Sequence, residues 1–322
     1  MTKYRSQLPQ LGGALFLADG GIETTLIFLD GLELPDFAAF DLLKTAQGTA
    51  ALRRYYDGYA RLAKQHGTGL VLESATWRAN ADWGARLGYS VEQLRQANQA
   101  ALRLLFEVRA EHETAHTPIV VSGCLGPRGD GYLVGSAMSE AQAQAYHLPQ
   151  IQTFADGGAD MACVMTMNYV EEAVGVTLAA RHAGIPLALS FTVETDGRLP
   201  SGQALGAAIE QVDAASGAYP SYYMINCAHP AHFEQVFPEA APAPWQRRIR
   251  GLRANASRKS HAELNEATVL DSGNPAELAG QYARLRRLLP KLNVMGGCCG
   301  TDLRHIEQIA LACAPLFGQL RH

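Results

Sequence analysis

"ADMACVMTMNYVEEAVGVTLAARHAGIPLALSFTV", residues 159–193, carries one complete structural unit in its pattern. Its first run, 159–167, is short and apolar and ends in small or polar residues, as a buried parallel strand does. "VEEAVGVTLAARHAG" then has helical periodicity and stops at Gly184, the residue type that best accepts the conformation just past a helix end. Ile185-Pro186 opens a second strand-like run, "IPLALSFTV" (185–193). Strand, helix and strand in this order predict a β-α-β unit with parallel strands.

Outward from this unit the same run recurs in both directions. "ALFLADGG" (14–21), "TGLVLESAT" (68–76) and "PIVVSGCLG" (118–126) precede it, and "YYMINCA" (222–228), "RIRGLRANA" (248–256) and "LNVMGGCCG" (292–300) follow. Helical segments such as "TAALRRYYDGYARLAKQHG", ending at Gly67, and "VEQLRQANQAALRLLFEVRAEHE" lie between them. Eight β/α repeats in 322 residues predict an α/β chain closed as a (β/α)8 TIM-type barrel, one domain over residues 1–322. An open doubly wound sheet is the second reading, and the missing G-x-G-x-x-G after the first run removes its main functional attraction. The proline-rich "FPEAAPAPWQ" (237–246) reads as an exposed loop, because the β/α rhythm resumes directly after it.

The composition, 48% hydrophobic and 18% charged with a net charge of −4, gives no basic field for nucleic acid. The pairs Arg247-Arg248 and Arg286-Arg287 read as solvated faces. The N-terminal apolar run is too short for a signal peptide and no later run is long enough for a membrane span, so a cytoplasmic protein without membrane contact is expected. Nothing in the pattern speaks to oligomeric state. Six cysteines are too sparse for a disulfide scaffold, which leaves buried thiols, metal ligands or catalytic groups.

Barrel enzymes draw their chemistry from the C-terminal ends of strands. The reactive residues there are Asp19, Glu73, Cys124, Cys227, Cys298 and Cys299. Cys163 inside a strand and Cys313 in the apolar helix "IEQIALACAPLF" read as core, and Cys124 most simply as packing. Cys227, Cys298 and Cys299 belong together if strands six and eight share a rim. Three thiolates suit Zn²⁺ at about 2.3 Å each and leave one tetrahedral position open. Two other readings stay open: vicinal cysteines packed as small hydrophobes, or a redox disulfide. Gly296, Gly297 and Gly300 would give the backbone freedom to aim adjacent thiols at one ion. A thiol in the open position would be held as thiolate at neutral pH, and an ion carrying three sulfurs favours alkylation of that thiolate over hydrolysis. Zinc hydrolases lean on His and carboxylate ligands. His229 is the one histidine placed near these cysteines, and as a loop residue before Pro230 it reads as structural.

"INC" (225–227) followed by "GGCCGTD" (296–302) resembles the zinc-dependent homocysteine S-methyltransferase family. "DGGIETTL" (19–26), "GCLGPRGDGY" (123–132) and "SFTVETDGRLPSGQAL" (190–205) extend the likeness over nearly the whole chain. The resemblance implies a (β/α)8 barrel in which Cys227, Cys298 and Cys299 hold Zn²⁺. It also implies that a small-molecule thiol, homocysteine, takes a methyl group from a sulfonium or quaternary ammonium donor to give methionine. S-methylmethionine or S-adenosylmethionine is the expected donor. The chain ends soon after the eighth unit, so neither cobalamin or folate modules nor the extension of the betaine-using branch is expected.

The resemblance carries Asp19, Gly20 and Gly21 onto the family's amino-acid pocket, with Thr166 and Asn226 at the ends of strands four and six. Asp19 has a second reading as a helix cap. Glu23 stands where many members have a small residue. Met165 replaces the glutamate that meets the homocysteine ammonium, a loss of about 1–3 kcal/mol of binding unless Glu23, Glu73 or another acid substitutes. In "ESATWRAN" (73–80) Glu73 and Arg78 are unusual charged residues; Arg78 reads as a carboxylate ligand or a surface residue, Trp77 as a cation–π face or core packing. Two alternatives remain: the same chemistry on another thiol or onium donor, and a zinc- or ligand-binding barrel without turnover.

Overall fold

The computed structural model describes residues 2–238 and 242–317. Eight parallel strands close in sequence order into a barrel, with β1 (Phe16–Ala18) paired to both β2 (Gly69–Glu73) and β8 (Val294–Gly297). Between them run β3 (Ile119–Leu125), β4 (Met161–Met167), β5 (Leu187–Phe191), β6 (Tyr222–Asn226) and β7 (Ile249–Ala254). Every run read as a strand is one, and the opening unit of residues 159–193 is β4, the helix Val170–Ala183 and β5.

The strands are buried because both faces are covered: helices pack outside and side chains fill the inside. One face of β4 sends Met161, Cys163 and Met165 into an interior cluster with Phe16, Val71, Val120, Tyr222 and Met224. The helices end as their glycines predict. Gly67 (φ 59°) closes Ala46–His66 and Gly184 (φ 64°) closes Val170–Ala183, each in the left-handed region where a side chain would be strained. Serine caps reciprocated by glutamine start the helices Val91–His112 and Glu140–Asp156.

The proline-rich segment 237–246 keeps Pro238, Pro242 and Pro244 exposed, as its reading as an exposed loop expects, but not its ends. Phe237 and Gln246 are buried, and the Trp245 ring lies 5.8 Å from that of Phe237 and against Gly206. Its aromatic ends pack onto the barrel; residues 239–241 lie outside the described part. Among the described residues no helix is long and apolar enough to cross a membrane.

Candidate metal centre

β6 and β8 flank β7, and this register sets Cys227, just past Asn226, beside Cys298, just past Gly297. The sulfurs of Cys227, Cys298 and Cys299 all lie within 4.8 Å of one another. Cys227 and Cys298 are joined as a disulfide with their Cα atoms 5.4 Å apart, and Cys299 keeps a free thiol. The adjacent cysteines are therefore not paired with each other; the bond links two strand ends. Cys124, Cys163 and Cys313 are buried free thiols away from this group.

Backbone contacts aim the three sulfurs. Cys227 sits in the left-handed region at φ 54°, and its carbonyl accepts from Asn255 Nδ2 at 3.0 Å and His261 Nε2 at 2.6 Å. The Cys298 N–H donates to the Ala254 carbonyl at 2.8 Å, and the Cys299 carbonyl accepts from Ala256 N–H at 3.0 Å. Of the three loop glycines read as giving backbone freedom, Gly300 (φ 78°) uses it in the left-handed region. Gly296 and Gly297 end β8, and their small size matters instead, since a Cβ on either would collide with neighbouring atoms. Gly21 is as tight: a Cβ there would lie 2.5 Å from the Cys298 carbonyl oxygen.

Asp19 and Glu73 reach the same end of the barrel but meet a partner that periodicity does not reveal. Arg253, buried in β7, donates from Nη1 to Glu73 Oε2 at 2.8 Å, and its Nη2 lies 2.5 Å from Asp19 Oδ1. The same guanidinium donates to the carbonyls of Gly297 at 3.1 Å and Gly20 at 3.2 Å, so it also fastens the backbone on both sides of the cysteine loop. The Tyr55 hydroxyl donates to the second oxygen of Asp19 at 3.0 Å. Burial pushes the Glu73 carboxyl above the usual carboxylate range against the pull of Arg253. Glu23 lies on the short turn Ile22–Thr24, partly exposed, and burial pushes its carboxyl up to about 7.

Thr166 and Asn226 hold each other. The Asn226 carboxamide accepts from the Thr166 N–H at 2.8 Å and donates to the Thr166 hydroxyl at 2.8 Å, fixing Thr166 at φ 64°. Met165 is buried in the interior apolar cluster, with Trp77 packed at its edge. The Arg78 guanidinium lies between the rings of Trp77 (4.3 Å) and Trp83 (3.7 Å) and donates to the Gly129 carbonyl, so it secures the loop after β3. That loop carries Tyr132, whose hydroxyl is 3.8 Å from Cys299 Sγ and whose ring stacks on His261 at 4.1 Å. Glu194 Oε1 lies 3.1 Å from His261 Nδ1. His229 behaves as read: its Nδ1 accepts from Ala231 N–H and starts the turn Pro230–His232. Burial beside Glu23 pushes the Cys299 thiol up to about 11, so without a metal this sulfur is protonated at neutral pH.

Arg253, Asn255 and Glu194 lie at or just past strand ends, in β7 and after β5, but were not singled out. The burial of Arg253, beside the partly exposed Arg250 of the same strand, is what sets it apart, and His261 lies beyond the strand end without a local pattern.

The model of the homocysteine S-methyltransferase family matches residues 16–313. The methionine synthase of Mycobacterium leprae is 25% identical over 339 residues, covering 95% of this chain and 25% of its own length. The chain thus spans about a quarter of that relative. In the solved structures of the homocysteine methyltransferase MmuM from Escherichia coli, the oxidized form superposes with a TM-score of 0.73 at 18% identity, over 96% of this chain and 99% of that one. The metallated form gives 0.69 at 17% identity, over 93% and 96%. At these identities the likeness establishes the barrel.

Proposed function

The chain belongs to the homocysteine S-methyltransferase family, and on that premise we propose that it moves a methyl group from a sulfonium or related onium donor to the thiol of homocysteine, giving methionine. S-methylmethionine and S-adenosylmethionine are the donors of choice. The observation that carries the reading is the meeting of Cys227, Cys298 and Cys299 at one rim of the barrel.

The three sulfurs fit a zinc ion. A tetrahedral ion with bonds of about 2.3 Å needs sulfurs about 3.8 Å apart, so the bonded Cys227 and Cys298 sulfurs would separate while all three stay within the 4.8 Å that bounds this group. Holding an ion requires the Cys227–Cys298 pair in its reduced, dithiolate state. Bound by the three cysteines, zinc would keep the acceptor's thiol deprotonated at neutral pH, as a nucleophile ready for alkylation.

The chain's own residues supply position and exclusion. Asn255 and His261 hold the Cys227 carbonyl and thereby the direction of its side chain. Arg253 ties Gly20 to Gly297, so the loop after β1 and the cysteine loop form one rigid edge. The stacked Tyr132 and His261 bring two loops together above Cys299 and restrict water there. Thr166, locked by Asn226, presents a fixed backbone turn opposite. These contacts support Gly20, Thr166 and Asn226 as walls of the substrate pocket, with Asp19 holding Arg253 beneath them. The fixed edge is what an in-line displacement needs, since reacting atoms must be held near contact distance.

The test is a donor and acceptor screen with reduced, zinc-loaded protein, following thioether formation by mass. Methionine from homocysteine with one of the two sulfonium donors is expected. A protein that retains about one equivalent of zinc yet forms no thioether with any donor would remove the activity and leave only the metal site.

A further inference from the structure

Homocysteine carries an ammonium group and onium donors are cations by definition, so catalysis by the proposed route brings positive charge to the partly buried rim that carries the cysteines. Such a charge requires a protein anion. Of the four carboxylates placed at this rim three are already engaged, Glu194 with His261. Asp19 is held by Arg253 and the Tyr55 hydroxyl, and Glu73 by Arg253. Recruiting either for a substrate would strip a buried guanidinium of its counter-charge.

Glu23 differs. Among the described residues its carboxylate has no ion pair and no side-chain hydrogen bond, and it is partly exposed. Its backbone is laid along the cysteine loop: Gly21 N–H donates to the Thr301 carbonyl at 3.0 Å, and the Thr24 hydroxyl accepts from Gly300 N–H at 3.1 Å. Cys298 and Cys299 on that loop are both partly accessible, whereas Cys227 is buried. The neighbouring cation Arg78 is held by two tryptophan rings and the Gly129 carbonyl.

We infer that Glu23 is the counter-ion for a substrate cation, the ammonium of the acceptor thiol or the onium centre of the methyl donor. The inference rests on the methyl-transfer reading above and gives that site its charge specificity. Glu23→Gln removes the charge and keeps the shape, and it breaks no ion pair within 4 Å, although the cations Arg78 and Arg253 lie in the field of this carboxylate.

Two pairs of probes separate the sources. Calorimetry on the reduced zinc-loaded protein compares homocysteine with its des-amino analogue, which has the thiol and carboxylate but no ammonium. Initial rates compare S-methylmethionine with methyl iodide, a neutral methyl donor. In E23Q, a loss of about 10- to 100-fold confined to homocysteine assigns the ammonium, and the same loss confined to the sulfonium assigns the onium centre. Losses equal within both pairs, or no loss in either, overturn the inference. Zinc content and melting temperature equal to wild type are expected for E23Q, and Glu23→Asp, which keeps the charge, should fall between the two. If wild type forms no methionine with any sulfonium, the methyl-transfer reading fails, while the calorimetric pair still decides on Glu23.

Discussion

Replacing Arg253 with methionine tests the electrostatic frame beneath the site. Its guanidinium stands between two buried carboxylates, Asp19 and Glu73, and donates to the carbonyls of Gly20 and Gly297. Removing one member of a buried ion pair costs about 3–5 kcal/mol, because the partner remains as an uncompensated buried charge. With two carboxylates and two carbonyls abandoned together, the upper end, about 5 kcal/mol, is expected. That is a large part of the roughly 5–15 kcal/mol that holds a typical protein folded. The pH dependence has a definite sign. Burial already holds the folded-state Glu73 carboxyl above its usual value, and loss of Arg253 moves it further up. A carboxyl with a raised folded-state pKa favours folding only where it is protonated, so the deficit is small below about pH 4.3 and grows as the pH rises above it. Denaturant titrations of wild type, R253M and R253M/E73Q at pH 5 and pH 8 measure this. R253M should lose more at pH 8, and E73Q should return a substantial share of the loss. A deficit below about 1 kcal/mol at pH 8, or one independent of pH, would refute the ion-pair account.

Serine at Cys227, Cys298 or Cys299 is each expected to lower bound zinc below one equivalent, measured by atomic emission on reduced protein; a variant that keeps full zinc removes that residue from the ligand set. Peptide mapping without reductant should find Cys227 linked to Cys298 and alkylating reagent on Cys299, and a Cys298–Cys299 link would contradict the geometry. Gly21→Ala places a methyl 2.5 Å from the Cys298 carbonyl and should cost about 1–3 kcal/mol and weaken zinc binding, whereas Gly12→Ala, with nothing within 4 Å, should do neither. His261→Ala removes the shorter of two hydrogen bonds to the Cys227 carbonyl, so competition with a chelator should show about tenfold weaker zinc; unchanged affinity would leave the histidine a loop contact only.

The barrel was legible because its information is local and repeated. A run such as 159–167 followed by an amphipathic helix and a glycine stop states its own structure, and eight of them leave little choice of closure. The cysteine cluster was legible for a related reason: strand ends in a parallel barrel all point to one rim, so reactive residues at strand ends meet without any need to know side-chain directions. Gly296 and Gly297 show where this stops. Their sequence context announced freedom, but the structure uses their small size, set for Gly296 by the distant Ala18 and for Gly297 by the fold of the loop that brings Thr301 back onto it.

Arg253 marks the deeper limit. Within "RIRGLRANA" it looked like one more strand residue, yet a strand covered on both faces offers an arginine no solvent, so a cation there demands buried anions. Those anions are not on the strands beside it in the sheet. Asp19 follows β1 and Glu73 ends β2, while β7 pairs with β6 and β8, so the contact crosses the mouth of the barrel. Periodicity reports neighbours along a strand and topology reports neighbours across a sheet; neither reports which side chains meet through the middle. Asp19, placed in the substrate pocket by the family resemblance, and Glu73, offered as a substitute acid, are in the folded chain answered from within by Arg253. Glu23 stands where many family members have a small residue. The internal pairing of the other two leaves it the acid on which the proposed substrate charge selection rests.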